Sequence, residues 1–85
     1  MKFLTIMSWE PDNATKITEA FLKWKPPEGL KFIYGPSTML GQNKSVSVVE
    51  ITDEAWAKVD RYWRELCVME QYPLMDTVEL MKITL

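Results

Sequence analysis

Residues 30–55 read LKFIYGPSTMLGQNKSVSVVEITDEA, and their reading decides the architecture. Leu30 to Tyr34 is rich in β-favouring side chains and predicts a strand. Gly35-Pro36 interrupts that strand as a bulge or an edge kink, because proline cannot donate to a sheet ladder. Gly41-Gln42-Asn43-Lys44 supplies the turn of a hairpin, and a further strand follows from Ser45 to Ile51. Thr52 is a natural N-cap for a helix, with Asp53 and Glu54 in the first turn facing the positive end of the helix dipole.

Working outward, the segment before this hairpin predicts one strand and one helix. Residues 2–10 carry Phe3, Thr5, Ile6 and Trp9 and read as the first strand. Pro11-Asp12-Asn13 breaks it and offers an N-cap to a helix over about 13–24. Ile17, Ala20, Phe21 and Trp24 form the apolar stripe of that helix, opposite Lys16, Glu19 and Lys23. Pro26-Pro27-Glu28-Gly29 ends it. After the hairpin, Trp56, Val59, Trp63, Leu66 and Cys67 form the stripe of a second helix. Tyr72-Pro73 closes this element, and a last strand is expected at about 77–84. The order is strand, helix, strand, strand, helix, strand in one domain spanning residues 1–85.

An antiparallel sheet with helices on one side only should alternate apolar and polar residues along its strands. This chain departs from that rule. The first strand places Phe3, Met7 and Trp9 on one face and Leu4 and Ile6 on the other. The second sets Leu30, Phe32 and Tyr34 against Ile33, and the last sets Val78 and Leu80 against Met81, Ile83 and Leu85. A wet second face would expose several large side chains, each forgoing about 1.5–3 kcal/mol of burial. The economical cover is a second copy of the same sheet, so a homodimer is expected, with a higher oligomer left open.

Composition removes whole classes of function. The hydrophobic fraction is 47% and the charged fraction 26%, which argues against disorder. Net charge is −2, with lysines interspersed among acids. Phosphate neutralisation needs a concentrated basic surface, so neither nucleic acid nor an anionic membrane is expected as a partner. The lone Cys67 can form neither an internal disulfide nor a zinc site. No signal-peptide pattern opens the chain, and no stretch approaches the roughly 20 apolar residues of a membrane span. A soluble cytoplasmic protein is the expectation. The sequence contains no histidine, which removes the usual general base and the commonest metal ligand. No cofactor and no metal are expected.

Pro-Pro-Glu-Gly-Leu-Lys-Phe-Ile-Tyr-Gly at 26–35, Val-Ser-Val-Val-Glu-Ile-Thr-Asp at 46–53, Arg-Tyr-Trp-Arg-Glu-Leu at 61–66 and Tyr-Pro-Leu-Met-Asp at 72–76 resemble a family of small prokaryotic domains of unknown function. That family belongs to the dimeric α+β barrel superfamily. The resemblance implies an α+β, ferredoxin-like βαββαβ protomer, with a four-stranded antiparallel sheet and two helices on one face. Its wider members include cofactor-independent monooxygenases, haem-degrading enzymes, isomerases and small-molecule sensors, whose ligands sit between the sheet and the surrounding helices and loops. Relatives often carry Gly-Arg-Trp-His after the second strand. This chain has Gly35-Pro36-Ser37-Thr38 there, so the resemblance brings no histidine-based site.

The candidate ligand-binding residues are Trp9, Tyr34 and Glu50. Glu50 shares a strand face with Val46 and Val48, and a carboxylate in apolar surroundings would have a raised pKa suited to acid or base work. The plainer reading, favoured by its place near the strand end, is a solvated or lysine-paired group. Trp9 and Tyr34 are aromatics with polar tips that suit a flat, partly apolar ligand, or equally the core or a dimer interface. Trp56 and Trp63 lie at helical spacing and read as core, and Cys67 as a small buried hydrophobe. The methionines are too scattered for a metal box. The leading expectation is a dimer that binds a small, largely apolar molecule. The alternatives are an assembly module whose open sheet face serves dimerisation alone, and a cofactor-independent monooxygenase or isomerase using Glu50 and Tyr34.

Overall fold

The computed structural model of the chain describes residues 1–84. Its order is β1 (Lys2–Ser8), a 3-10 turn (Pro11–Asn13), α1 (Ala14–Lys23), β2 (Leu30–Thr38), β3 (Lys44–Ile51), α2 (Asp53–Trp63), β4 (Val68–Leu74) and α3 (Thr77–Thr84). The four strands form one antiparallel sheet in the order β2-β3-β1-β4. The fold is α+β and broadly ferredoxin-like, with a further helix after the last strand. The prolines obey the sheet's hydrogen-bonding demands: Pro36 lies in β2 and Pro73 in β4, the two edge strands.

The hairpin and the second helix begin as the sequence predicts. Gln42 N–H donates to the Met39 carbonyl at 3.1 Å across the turn. Thr52 Oγ1 accepts from the Ala55 N–H at 3.2 Å and caps α2. Asn13, in contrast, makes no side-chain cap for α1. Gly35 holds φ at +80°, and a Cβ there would stand 2.7 Å from the Val46 carbonyl oxygen. Glycine is therefore required on both conformational and steric grounds.

Val49 and Ile51 of β3, Ile17 of α1, and Ala55, Val59 and Trp63 of α2 make the buried core. Trp63 is 1% exposed and is the largest fully buried side chain. Its ring meets Trp24 at 5.5 Å and 76°, and Tyr62 at 5.0 Å and 72°. These are edge-to-face arrangements of the kind that aromatic quadrupoles favour. The Tyr62 hydroxyl donates to the Ala20 carbonyl at 2.7 Å and so ties α2 directly to α1.

Three expectations are corrected. The last strand is residues 68–74, and 77–84 is helical. Val68, Met69, Glu70, Gln71 and Tyr72 pair along β1 despite Pro73, because an edge strand tolerates a missing donor. Asp76 Oδ1 then accepts from Val78 N–H at 2.9 Å and from Glu79 N–H at 3.3 Å, and this capped start commits the following residues to α3. Leu85 of the expected strand lies outside the described residues. Second, the buried stripe of α2 is Ala55-Val59-Trp63, and Trp56 is 44% exposed. The turn before β2 approaches α2 closely at Gly29, where a Cβ would stand 3.3 Å from that of Ala55, so a small side chain is needed at this point of the helix. Third, a register shift between Phe32 and Tyr34 places Phe32 opposite Val49 but Tyr34 opposite the adjacent Val48. The bulge turns Tyr34 away from Leu30 and Phe32, onto the other face.

Replacing Trp63 with alanine is expected to cost about 3–5 kcal/mol in urea unfolding, as for other large-to-small core changes. Gly35→Ala is expected to cost more than about 1 kcal/mol, since alanine resists positive φ. A Gly35→Ala protein with an unshifted urea midpoint would contradict the close approach of β2 to β3.

Candidate functional site

The helix-facing side of the sheet has a polar centre. Across β4, β1 and β3, the residues Gln71, Thr5 and Ser47 stand side by side in one cross-strand row. Met7 and Ser45 occupy the next row, with Thr38 of β2 paired to Ser45. Thr5 and Ser47 are buried. Small hydroxyl side chains cannot fill the space between sheet and helix that branched aliphatics would fill. A cavity of about 360 Å³ results. Thr5, Ser45, Ser47 and Gln71 are its floor, and Trp24, Phe32 and Trp63 contribute aromatic walls. Phe21 and the well-exposed Leu22 of α1 stand at its rim.

No charged side chain lines this cavity among the described residues. Among the described residues one fully buried side-chain polar atom lacks a partner, and it belongs to Gln71, a lining residue. Gln71 Nε2 donates to Thr5 Oγ1 at 3.3 Å, while Oε1 is buried with no hydrogen-bond partner among the described residues. Such an atom is costly unless something pairs with it, and native interiors contain few of them.

The three residues singled out from the sequence are not brought together. Trp9, just past β1, is half-buried and lines the cavity, held by its N–H donating to the Asn43 carbonyl at 3.0 Å. Tyr34 and Glu50 lie on the opposite face of the sheet and are exposed. Glu50 pairs across the strands with Lys2 and Lys31 rather than standing among apolar groups. It shares its face with Val46 and Val48 as the alternation requires, but that face is the open one.

On the open face, Tyr34, Val48, Leu4 and Tyr72 form a continuous cross-strand row, with Ile6 and Val46 beside it. The Tyr72 hydroxyl donates to the Glu70 carboxylate, and that acceptor, followed by its negative charge, raises the phenol's pKa. Neither α1 nor α2 reaches this side, and every described residue of α3 is exposed.

A model of a domain of unknown function, DUF3303, matches residues 1–85. The chain belongs to the DUF3303 family. No curated protein and no solved structure matches it significantly. For this DUF3303 chain the chemistry must therefore be read from its own residues. Gln71, Thr5 and Ser47 carry that reading, and none was singled out from the sequence. The available signal was the Ser45-Val46-Ser47-Val48 alternation: read with serines outward it describes an ordinary strand, and read with serines inward it describes a polar floor.

Cys67 lies outside the cavity lining, in the turn after α2. Its thiol donates to the Trp63 carbonyl at 3.5 Å, and burial pushes its pKa up from 9.0 to about 11. The thiolate is the reactive form, so alkylation by iodoacetamide at pH 8 should be far slower than for a free thiol. The rate should keep climbing as pH rises towards about 11. Labelling at the rate of an unhindered cysteine peptide at pH 8 would contradict the burial.

Proposed function

We propose that this DUF3303 chain is a homodimeric binding domain that holds a small, largely apolar molecule in the cavity between its sheet and helices. The observation that carries the reading is the 360 Å³ cavity itself, walled by aromatics over a floor of neutral polar groups. Its size falls at the small end of the usual range for ligand sites, about 300–1,000 Å³. Few convergent polar groups in an apolar enclosure is the common form of such sites. No histidine, carboxylate, lysine, tyrosine or cysteine lines the cavity among the described residues. That supports binding over a monooxygenase or isomerase reaction, which would need a group to move a proton. Tyr34 and Glu50, on the far face, are too differently placed to act on a molecule held there.

The dimer rests on the open face and on α3. Leu4, Ile6, Val46, Val48, Tyr34 and Tyr72 make an apolar surface with Lys2, Lys31 and Glu50 at one edge. Mixed charge at an apolar rim suits a two-fold contact, where each patch meets its own copy. Val78, Leu80, Met81 and Ile83 of α3 are 48–72% exposed. An isolated helix this short is marginal in water, and burying its apolar side chains on a second copy would stabilise it. The resemblance to dimeric α+β barrels points the same way. A protonated lone thiol suits a reducing compartment such as the cytoplasm, and no helix among the described residues is long and apolar enough to cross a membrane.

Native mass spectrometry tests both halves. The expected species is a dimer of the 10.0 kDa chain carrying a co-purified small molecule. Val48→Arg is expected to yield a monomer with an unchanged far-ultraviolet spectrum. Ser47→Leu, which fills the cavity floor without removing a paired group, is expected to keep the dimer and lose the small molecule. A dimer of the unmodified chain that carries no small molecule would favour an assembly module without a ligand, and a small-molecule content unchanged in Ser47→Leu would overturn the assignment of the ligand to this cavity.

A further inference from the structure

The strand register lays out the open face as cross-strand rows. One row reads Leu74–Lys2–Glu50–Lys31, the next Tyr72–Leu4–Val48–Tyr34, and the next Glu70–Ile6–Val46–Ser37. The order β2-β3-β1-β4 puts the midline of the sheet between β3 and β1. A two-fold axis along that midline, parallel to the strands, keeps each row at its own height and reverses its order in the second copy. Glu50 then faces the partner's Lys2, and Val48 faces the partner's Leu4. Val46 meets the partner's Ile6, and Tyr34 meets the partner's Tyr72. A two-fold axis across the strands matches the rows less well. Glu50 would face the partner's Lys44, but Lys2 would face the partner's Ser8 and lose its counter-charge. Tyr34 would lie over the partner's Ser37, and Tyr72 over the partner's Glu70.

We infer that two copies pack face to face about a two-fold axis running along the strands between β1 and β3, so that Glu50 of each protomer pairs with Lys2 of the partner subunit. This rests on the open face being the dimer interface and goes further by fixing its register. Face-packed sheets can keep their strand directions within about 30° and lie about 10 Å apart, a gap that a lysine and a glutamate reaching from opposite sides can bridge. Lys2 and Glu50 are exposed, and among the described residues neither enters a salt bridge. Both charges are therefore available to a second copy. The apolar rows supply the burial. The charged row at their end selects the orientation, which is the usual part played by charge at an interface rim.

Charge reversal followed by mixing tests it on the full chain. Glu50→Lys leaves the row all cationic, and Lys2→Glu leaves its centre all anionic. About the inferred axis each variant repels its own copy and attracts the other. The two are unfolded in urea, refolded together with one of them isotope-labelled, and weighed by native mass spectrometry. The expected result is a heterodimer in about tenfold excess over either homodimer, because like charges set against each other are costly. The excess should shrink as ammonium acetate is raised and the charges are screened. A statistical mixture of the three dimers would overturn the register while leaving the dimer. A second measurement needs no variant: labelled and unlabelled unmodified chains are mixed the same way and joined by a zero-length carbodiimide cross-linker. A Lys2–Glu50 linkage between a labelled and an unlabelled chain is expected. Linkage of these two residues within one chain only, or of Lys44 to Glu50 between chains, would overturn the inference. If the unmodified chain is a monomer, the dimer reading falls and the inference with it.

Discussion

Trp63, 1% exposed, sits where the second helix meets the first and the sheet beneath them, and the arrangement of both helices follows from its burial. Its ring contacts Phe21 of α1 and Trp24 just past that helix, and stands beside Tyr62 of its own helix. Through Tyr62, α2 also reaches the Ala20 carbonyl. Large rigid rings meeting edge-on give this end of the helix layer one well-defined arrangement. The sheet floor beneath part of that layer consists of serine, threonine and glutamine. Bulky rings above and small polar groups below cannot close on each other. The cavity is the direct consequence.

The sheet thus inverts the common pattern of a one-sided antiparallel layer. Its covered face is polar at the centre, with Thr5, Ser45 and Ser47, while its uncovered face carries Leu4, Ile6, Val46 and Val48. The inversion separates two jobs in space. The covered face encloses a volume that the chain does not fill, and the uncovered face offers a surface that the chain does not cover. Trp9 belongs to the first and Tyr34 and Glu50 to the second, so residues that look like one candidate site in sequence lie on opposite sides of a sheet one layer thick. The register shift in β2 reinforces this by moving Tyr34 across.

Most of the element order is legible from local chemistry. The turn at Gly41-Gln42, the Thr52 cap and the stripe from Ile17 to Trp24 each act over a few residues, and each forms as its own side chains dictate. The C-terminal quarter misleads for a physical reason. Val68 to Leu74 contains a proline that only an edge position permits, and edge status is a property of the whole sheet. Residues 77–84 alternate apolar and polar loosely enough to suggest a strand, yet the Asp76 carboxylate, by capping the Val78 and Glu79 amides, starts a helix there. The spacing of Asp76 and Glu79 was visible in the chain and is the cue that distinguishes the two.

By itself the sequence determined the α+β order, the hairpin, the burial of Trp63 and the absence of histidine chemistry, because each depends on residue identity or on neighbours a turn or two away. Only the tertiary structure decided which face of each strand turns to the helices. That choice is shared by all four strands at once, since a one-residue change of register exchanges every inward side chain for its neighbour. The serines of β3 go in and Val46 and Val48 go out because Val49 and Ile51 must meet Ile17, Val59 and Trp63. From that single choice come the cavity, the unpaired Gln71 oxygen and the open apolar face.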